Sequence, residues 1–182
     1  MSVVLFQVIG ETALMEAATD GYLEICRLLI DRGCKIDITE EYRGRTALMR
    51  AAEGGHLEIC RLLIDRGCKI DITTVRGETA LMKAAMWGYL EICRLLIDTG
   101  CKIDITDTEY GRTALMMAVV GGDLEICRLL IDRGCNINIT SRDGYTALHY
   151  AAEEGYPQTT RCLVKRGASP LVTTHKVIFY RI

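Results

Sequence analysis

The 182-residue chain interleaves 22 basic residues with 24 acidic ones for a net charge of −2, which argues against the basic face that an array neutralising nucleic-acid phosphates would carry. Its hydrophobic fraction of 49% against a charged fraction of 25% is that of a folded soluble protein, and no apolar run approaches the length needed to span a bilayer. Met1–Ile9 lacks the basic start and long apolar stretch of a signal peptide, so the expected compartment is the cytoplasm, with neither nucleic acid nor membrane as a partner.

Taken in chain order, residues 1–9 form an apolar, β-prone tail. From Gly10 onward one phrase, Gly-x-Thr-Ala-Leu-x-x-Ala, recurs at Gly44, Gly77, Gly111 and Gly144, at spacings of 34, 33, 34 and 33 residues. A fixed period of this size predicts a stacked repeat array in which each unit buries a face on its neighbours instead of on a central core. The expected organisation is a single elongated domain over residues 10–176, in units 10–43, 44–76, 77–110, 111–143 and 144–176, followed by a second apolar tail at 177–182.

The second unit shows the local logic. Thr46 is placed to cap a short helix from Ala47 to about Glu53, its hydroxyl accepting from an orphan amide. Leu48, Ala51 and Ala52 make the inward face, and Gly54 and Gly55 break the helix. A second helix runs from about Leu57 to Asp65; it is apolar on more than one side, which predicts that it is sandwiched. Glu58 and Arg61 mark its solvent face, and Gly67 closes it in a left-handed conformation. Lys69-Ile70-Asp71-Ile72-Thr73 alternates like a short extended segment leading into the next turn.

Nine cysteines raise the question of a disulfide framework. Eight fall in repeat-equivalent pairs, Cys26/Cys34, Cys60/Cys68, Cys93/Cys101 and Cys127/Cys135. Helical spacing places the two members of a pair roughly 12 Å apart, beyond the reach of a disulfide. They read as small buried apolar residues. Metal-ligand spacing is also lacking, since there is no Cys-x-x-Cys and the histidines are scattered.

At this point the residues match a known family. The chain resembles the ankyrin repeat in Gly44-Arg-Thr-Ala-Leu-Met-Arg-Ala-Ala, Gly55-His56 and Leu62-Leu63-Ile-Asp-Arg-Gly67-Cys68, and most closely in Gly144-Tyr-Thr-Ala-Leu-His-Tyr-Ala-Ala with Gly167-Ala168. The resemblance implies an all-α repeat fold, an α-solenoid of helix-turn-helix units joined by short β-hairpin loops. Two departures stand out. The family proline is alanine in every copy, leaving initiation to the threonine cap. The family histidine, which ties a repeat to its neighbour by hydrogen bonds, is Met15, Met49, Met82 and Met116 and survives only as His149, so those interfaces rely on less directional thioether packing. In the fifth copy Pro157, Thr159 and Thr160 replace Leu, Ile and Cys, softening the outward face as a terminal repeat requires. The two apolar tails either fold back as caps or self-associate.

Comparing near-identical copies separates framework from function. Ile-Cys-Arg-Leu-Leu-Ile-Asp recurs and serves stacking, whereas the residues before each opening glycine and along the first helix differ between copies. The resemblance implies that these line a concave, partner-binding groove. The candidate protein-binding residues are Tyr42, Arg45, Val75, Glu78, Lys83, Met86 and Trp87 in the first three copies. Tyr110, Arg112, Met117, Val120, Tyr145 and Tyr150 complete the set. Met86, Trp87, Met117, Val120 and Tyr110 are expected to cluster mid-groove, ringed by charge as in binding hot spots; the competing reading is that Trp87 covers a gap left by Gly121. No serine, cysteine or histidine sits in a recognisable catalytic motif and no cofactor is implied. The expected function is therefore a non-catalytic protein-interaction module, with a structural or self-assembling segment of a longer array as the alternative.

Overall fold

The computed structural model describes residues 13–172. Ten helices in consecutive pairs make up the regular structure of these residues, and no strand occurs among them. The first-helix row comprises α1 (residues 13–19), α3 (Ala47–Gly54), α5 (Ala80–Met86), α7 (Ala114–Val120) and α9 (Ala147–Glu153). The second row comprises α2 (Leu23–Asp31), α4 (Leu57–Asp65), α6 (Leu90–Asp98), α8 (Leu124–Asp132) and α10 (Pro157–Lys165). From α3 to α10 each helix packs on its partner and on the equivalent helix of a neighbouring repeat, and α2 packs on α4.

The first helices begin as the sequence predicts. Thr46, Thr79 and Thr113 have extended backbones and accept from Met49 N (3.3 Å), Met82 N (3.2 Å) and Met116 N (3.3 Å), each cap worth about 1 kcal/mol. Met49, Met82 and Met116 are buried in the stack. His149 Nδ1 accepts from the backbone N–H of Thr146 at 3.2 Å, which completes a capping box within its own repeat. Ala51, Ala52, Ala84, Ala85, Ala118 and Ala151 are without exposure, and their short side chains bring the first-helix backbones closer together than those of the second row.

The second helices are sandwiched: Ile59, Cys60, Leu62 and Leu63 are all buried. Their N-cap positions do unusual work. Only Asp123 caps its own helix, accepting from Ile126 N at 2.8 Å. His56, Tyr89 and Tyr156 have no capping bond and lie instead over the turn glycine of the preceding repeat. A Cβ at Gly55, where φ is +78°, would come within 2.5 Å of the Tyr89 ring. His56, which reads as a simple turn residue in the sequence, also places its Nε2 2.9 Å from Thr19 O in the repeat before. Gly54 belongs to α3, and the left-handed break falls at Gly55 alone.

The Lys69–Thr73 stretch turns at residues 70–71 instead of running extended. This turn joins neighbouring repeats through side chains: Asp37 accepts from Lys69 N (2.8 Å), Asp71 from Lys102 N (3.0 Å), Asp104 from Asn136 N (3.0 Å) and Asn138 from Ser169 N (2.9 Å). Exposed ion pairs Arg66–Asp31, Arg133–Asp98 and Arg166–Asp132 run parallel to them; solvent screening leaves surface pairs of this kind with little weight in stability. In the terminal repeat Thr159 is buried and Thr160 is half-buried, its hydroxyl donating to Tyr156 O at 2.8 Å. Only Thr160 therefore softens the outward face.

None of the nine cysteines is in a disulfide. Seven are buried, and Cys34 and Cys162 are half-buried. Burial pushes the thiols of Cys60, Cys68, Cys93, Cys101, Cys127 and Cys135 from 9.0 up to about 12, and that of Cys26 to about 11.

Two measurements bear on these contacts. Gly67, with φ +81°, has open space within 4 Å of the point where a Cβ would stand, so Gly67→Ala loses only the left-handed backbone preference, about 1–2 kcal/mol. Gly55→Ala adds a clash with Tyr89 and loses about 1–3 kcal/mol more, both read from urea unfolding. The folded state keeps thiol protons that an unfolded chain releases above pH 9.0. Stability contributed by the raised thiol pKa values is therefore complete below pH 9.0 and is lost as the pH climbs toward about 12. Urea midpoints should fall across that window, and a Cys60→Ala/Cys93→Ala variant should show a shallower fall.

Candidate functional site

The segments between second and first helices form fingers, each closed by a short backbone bond: Glu40 N to Arg45 O (3.0 Å), Thr74 N to Glu78 O (2.9 Å), Asp107 N to Arg112 O (2.9 Å) and Ser141 N to Tyr145 O (2.7 Å). Their interiors are organised by different side chains doing one job. Thr74 Oγ1 accepts from Arg76 N and Glu78 N, Asp107 Oδ1 from Glu109, Tyr110 and Gly111 N, and Ser141 Oγ from Tyr145 N. These three residues vary between copies yet are buried, so their variation concerns turn geometry and not recognition.

Adjacent fingers are bonded to each other: Val75 N donates to Arg43 O (3.0 Å), Thr108 N to Arg76 O (2.7 Å) and Arg142 N to Tyr110 O (2.8 Å). Side chains at the tips are left outward, with Tyr42 87%, Val75 65% and Tyr110 45% exposed. The Arg112 guanidinium lies 4.3 Å from the centroid of the Tyr110 ring, a cation–π contact, while its Nε donates to Asp107 at 3.1 Å.

Two hollows lie between fingers and first helices. A cleft of about 370 Å³ is walled by Tyr42, Arg43, Arg45, Thr74, Val75, Arg76, Glu78 and Lys83. A slot of about 160 Å³ is lined by Met82, Met86, Trp87 and Met117, with Glu53, Glu78, Lys83 and Arg112 at its polar side. Glu78 and Lys83 belong to both and are paired at 2.8 Å. Further along, Arg45 bonds Glu53 at 2.8 Å and pairs with Glu40, which also holds Arg50 at 2.7 Å.

Trp87 caps α5, its N–H bonded to Lys83 O, and its side chain is 60% exposed. It does not fill a gap left by Gly121: a Cβ at Gly121 would lie 2.5 Å from Met86 O. That glycine is where the end of α7 meets the backbone of α5. Met117 differs from expectation in being 3% exposed, part of the slot's floor and not of its surface. Val120 is half-buried and lines neither hollow. Tyr145 and Tyr150 pack on each other in the fifth repeat, ring centroids 5.3 Å apart, away from the slot. The candidate set leaves out Arg43, Thr74 and Arg76 of the cleft, and Glu53 and Met82 of the slot. Met82 repeats in four copies and so reads as core.

Among the described residues no group of His, Cys, Asp or Glu is arranged to hold a metal ion, and no helix is long and apolar enough to cross a membrane. Paired helices stacked in register, with bonded fingers along one side, define the molecule as a helical repeat solenoid. The family model for ankyrin repeats matches it three times, over residues 14–107, 66–141 and 104–174. The chain belongs to the ankyrin repeat family, whose members are generally protein-interaction modules and typically non-catalytic. No curated protein matches it.

Trp87 is the sole tryptophan, so it reports on the slot directly. Its emission should be strongly quenched by acrylamide in the folded protein, with little further gain in quenching on unfolding; a shielded indole would contradict the geometry.

Proposed function

We propose that this chain is a non-catalytic binding module that holds a protein partner across the first three fingers, through the cleft and the adjoining slot. The observation that carries the reading is the juxtaposition of exposed Trp87 with two hollows joined by the half-buried Glu78–Lys83 pair. An exposed aromatic beside an apolar slot with paired charges at its rim has the make-up of an interface hot spot. The finger backbones are already bonded to one another, so the partner is read by side chains and not added as a further strand. Tyr42, Arg45, Val75, Glu78, Lys83, Met86, Trp87 and Arg112 carry this role. Met117 supports it from the slot floor. Tyr110 acts by holding Arg112, and Tyr145 and Tyr150 would extend the surface toward the fifth repeat.

A second reading, self-assembly or continuation of a longer array, draws on the outer face of the first repeat. Ile25 is 47% exposed where its equivalent Ile59 is 1% exposed, so α2 presents a stacking face. The apolar tails 1–9 and 177–182, to which this reading also appealed, lie outside the described residues.

Affinity capture from lysate of the source cell, with and without Trp87→Ala, tests the leading reading. The exposed position of Trp87 predicts a folded variant by circular dichroism, and loss of a hot-spot aromatic should weaken the partner by about 2 kcal/mol, roughly 30-fold. Undiminished capture by the variant would place the site elsewhere, and a protein that captures nothing but its own copies would favour assembly.

A further inference from the structure

The slot beside Trp87 belongs to a single junction. Its apolar lining is made by Met86 of the third repeat and Met117 of the fourth, over buried Met82. At the other junctions the same two places hold Thr19 and Arg50, Glu53 and Lys83, and Val120 and Tyr150. No other pair of repeats therefore sets thioethers at both. The recess is a feature of these three side chains and Trp87 on an otherwise repeated framework, and its size, lining and charge define what it takes.

Size restricts the occupant to one ring-sized group: an apolar cavity of about 150 Å³ takes a single benzene, and the slot measures about 160 Å³. The lining favours an aromatic ring over an aliphatic group, because thioether sulfurs and an indole make contacts with a ring that exceed those of area alone. Charge excludes an ionised group. The charged residues at the polar side are already held, Glu53 by Arg45 at 2.8 Å, Glu78 by Lys83 at 2.8 Å and Arg112 by Asp107 at 3.1 Å. A charged occupant would lose hydration there without gaining a partner. A phenyl ring, with no hydroxyl to satisfy, meets all three conditions.

The adjoining cleft, which shares Glu78 and Lys83 with the slot, has the opposite character. Its wall sets Arg43, Arg45, Arg76 and Lys83 against Glu78 alone. Arg45 and Lys83 are held from within by Glu40, Glu53 and Glu78. Arg43 and Arg76 are exposed, and the Arg76 side chain, 68% exposed, makes a surface pair with Glu109 that a partner carboxylate can exchange. The bond from Val75 N to Arg43 O brings both arginines to one crossing of the two fingers. We propose that the partner enters as a segment with a phenylalanine in the slot and an acidic side chain beside it against Arg43 and Arg76, an inference that rests on the binding-module reading above.

The test uses the full chain with isotopically labelled methionine methyl groups, observed by NMR, and three probes: acetyl-Glu-Phe-Glu-amide, acetyl-Glu-Leu-Glu-amide and acetyl-Lys-Phe-Lys-amide. The acidic phenylalanine probe should shift the Met86 and Met117 methyl signals saturably through its ring current and leave Met15, in the first repeat, in place. It should bind about two- to tenfold more tightly than the leucine probe, the gain of an aromatic contact beyond its area. Its margin over the lysine probe should narrow as salt is raised, and in an Arg43→Glu/Arg76→Glu variant the order of those two probes should reverse. A leucine probe that binds as tightly would overturn the ring. A lysine probe that binds as tightly, or an order unchanged in the variant, would overturn the acidic flank. Methyl signals unmoved by every probe at millimolar concentration would overturn the slot as a binding site for a ring. Were partner capture still lost in Trp87→Ala alongside such silence, the binding-module reading would stand and this inference alone would fall.

Discussion

Adjacent first helices meet through alanines that are wholly buried, and the rest of the array is arranged around that closeness. With short side chains between them, the α3, α5, α7 and α9 backbones approach more nearly than the second helices do. The larger residues of the second row, Ile59, Leu62, Leu63 and their equivalents, fill the wider space behind. Gly121 carries the same constraint to its limit, where even a methyl group would collide with the Met86 carbonyl. The hydrophobic burial that stabilises the stack is thus distributed over junctions between repeats, as expected where no repeat has a core of its own.

Polar groups follow the same geometry. Each of the four junctions is tied by a side chain over the turn glycine at one end and by an Asp or Asn accepting a backbone N–H near the other, and among the described residues the first three also carry a bond between finger backbones. The charges around the cleft and slot are largely paired within the protein, Lys83 with Glu78 and Arg45 with Glu53, so the side chains lining these hollows are held in place by internal bonds.

The helices, their threonine caps and the left-handed glycines were legible because they depend on residues close in sequence. The turn at Ile70–Asp71 was not, since alternating Ile and polar residues resemble a strand while the decisive contact, Asp71 to Lys102 N, reaches into the next repeat. Difference between copies singles out Tyr42, Val75 and Trp87, whose side chains face solvent, but equally Met117, Thr74, Asp107 and Ser141, where the variation is buried: a larger thioether floors the slot, and three different oxygens satisfy the finger amides. His56 was hidden for the opposite reason, its partner Thr19 lying 37 residues away.

The second helices of the first four repeats share one nine-residue sequence, with a consequence for how the chain reaches its native order. A nascent second repeat finds in the third and the fourth almost the same mate, so stacking energy alone distinguishes neighbours weakly. The residues over the turn glycines do differ, His56, Tyr89, Asp123 and Tyr156 in succession, as do the side chains that close the fingers. Although tyrosine is used twice, these contacts distinguish each junction from its immediate neighbours on an otherwise uniform ladder. They favour the collinear order over skipped or intermolecularly exchanged repeats, the characteristic misassembly of tandem sequences, and synthesis from the N-terminus presents the junctions one at a time.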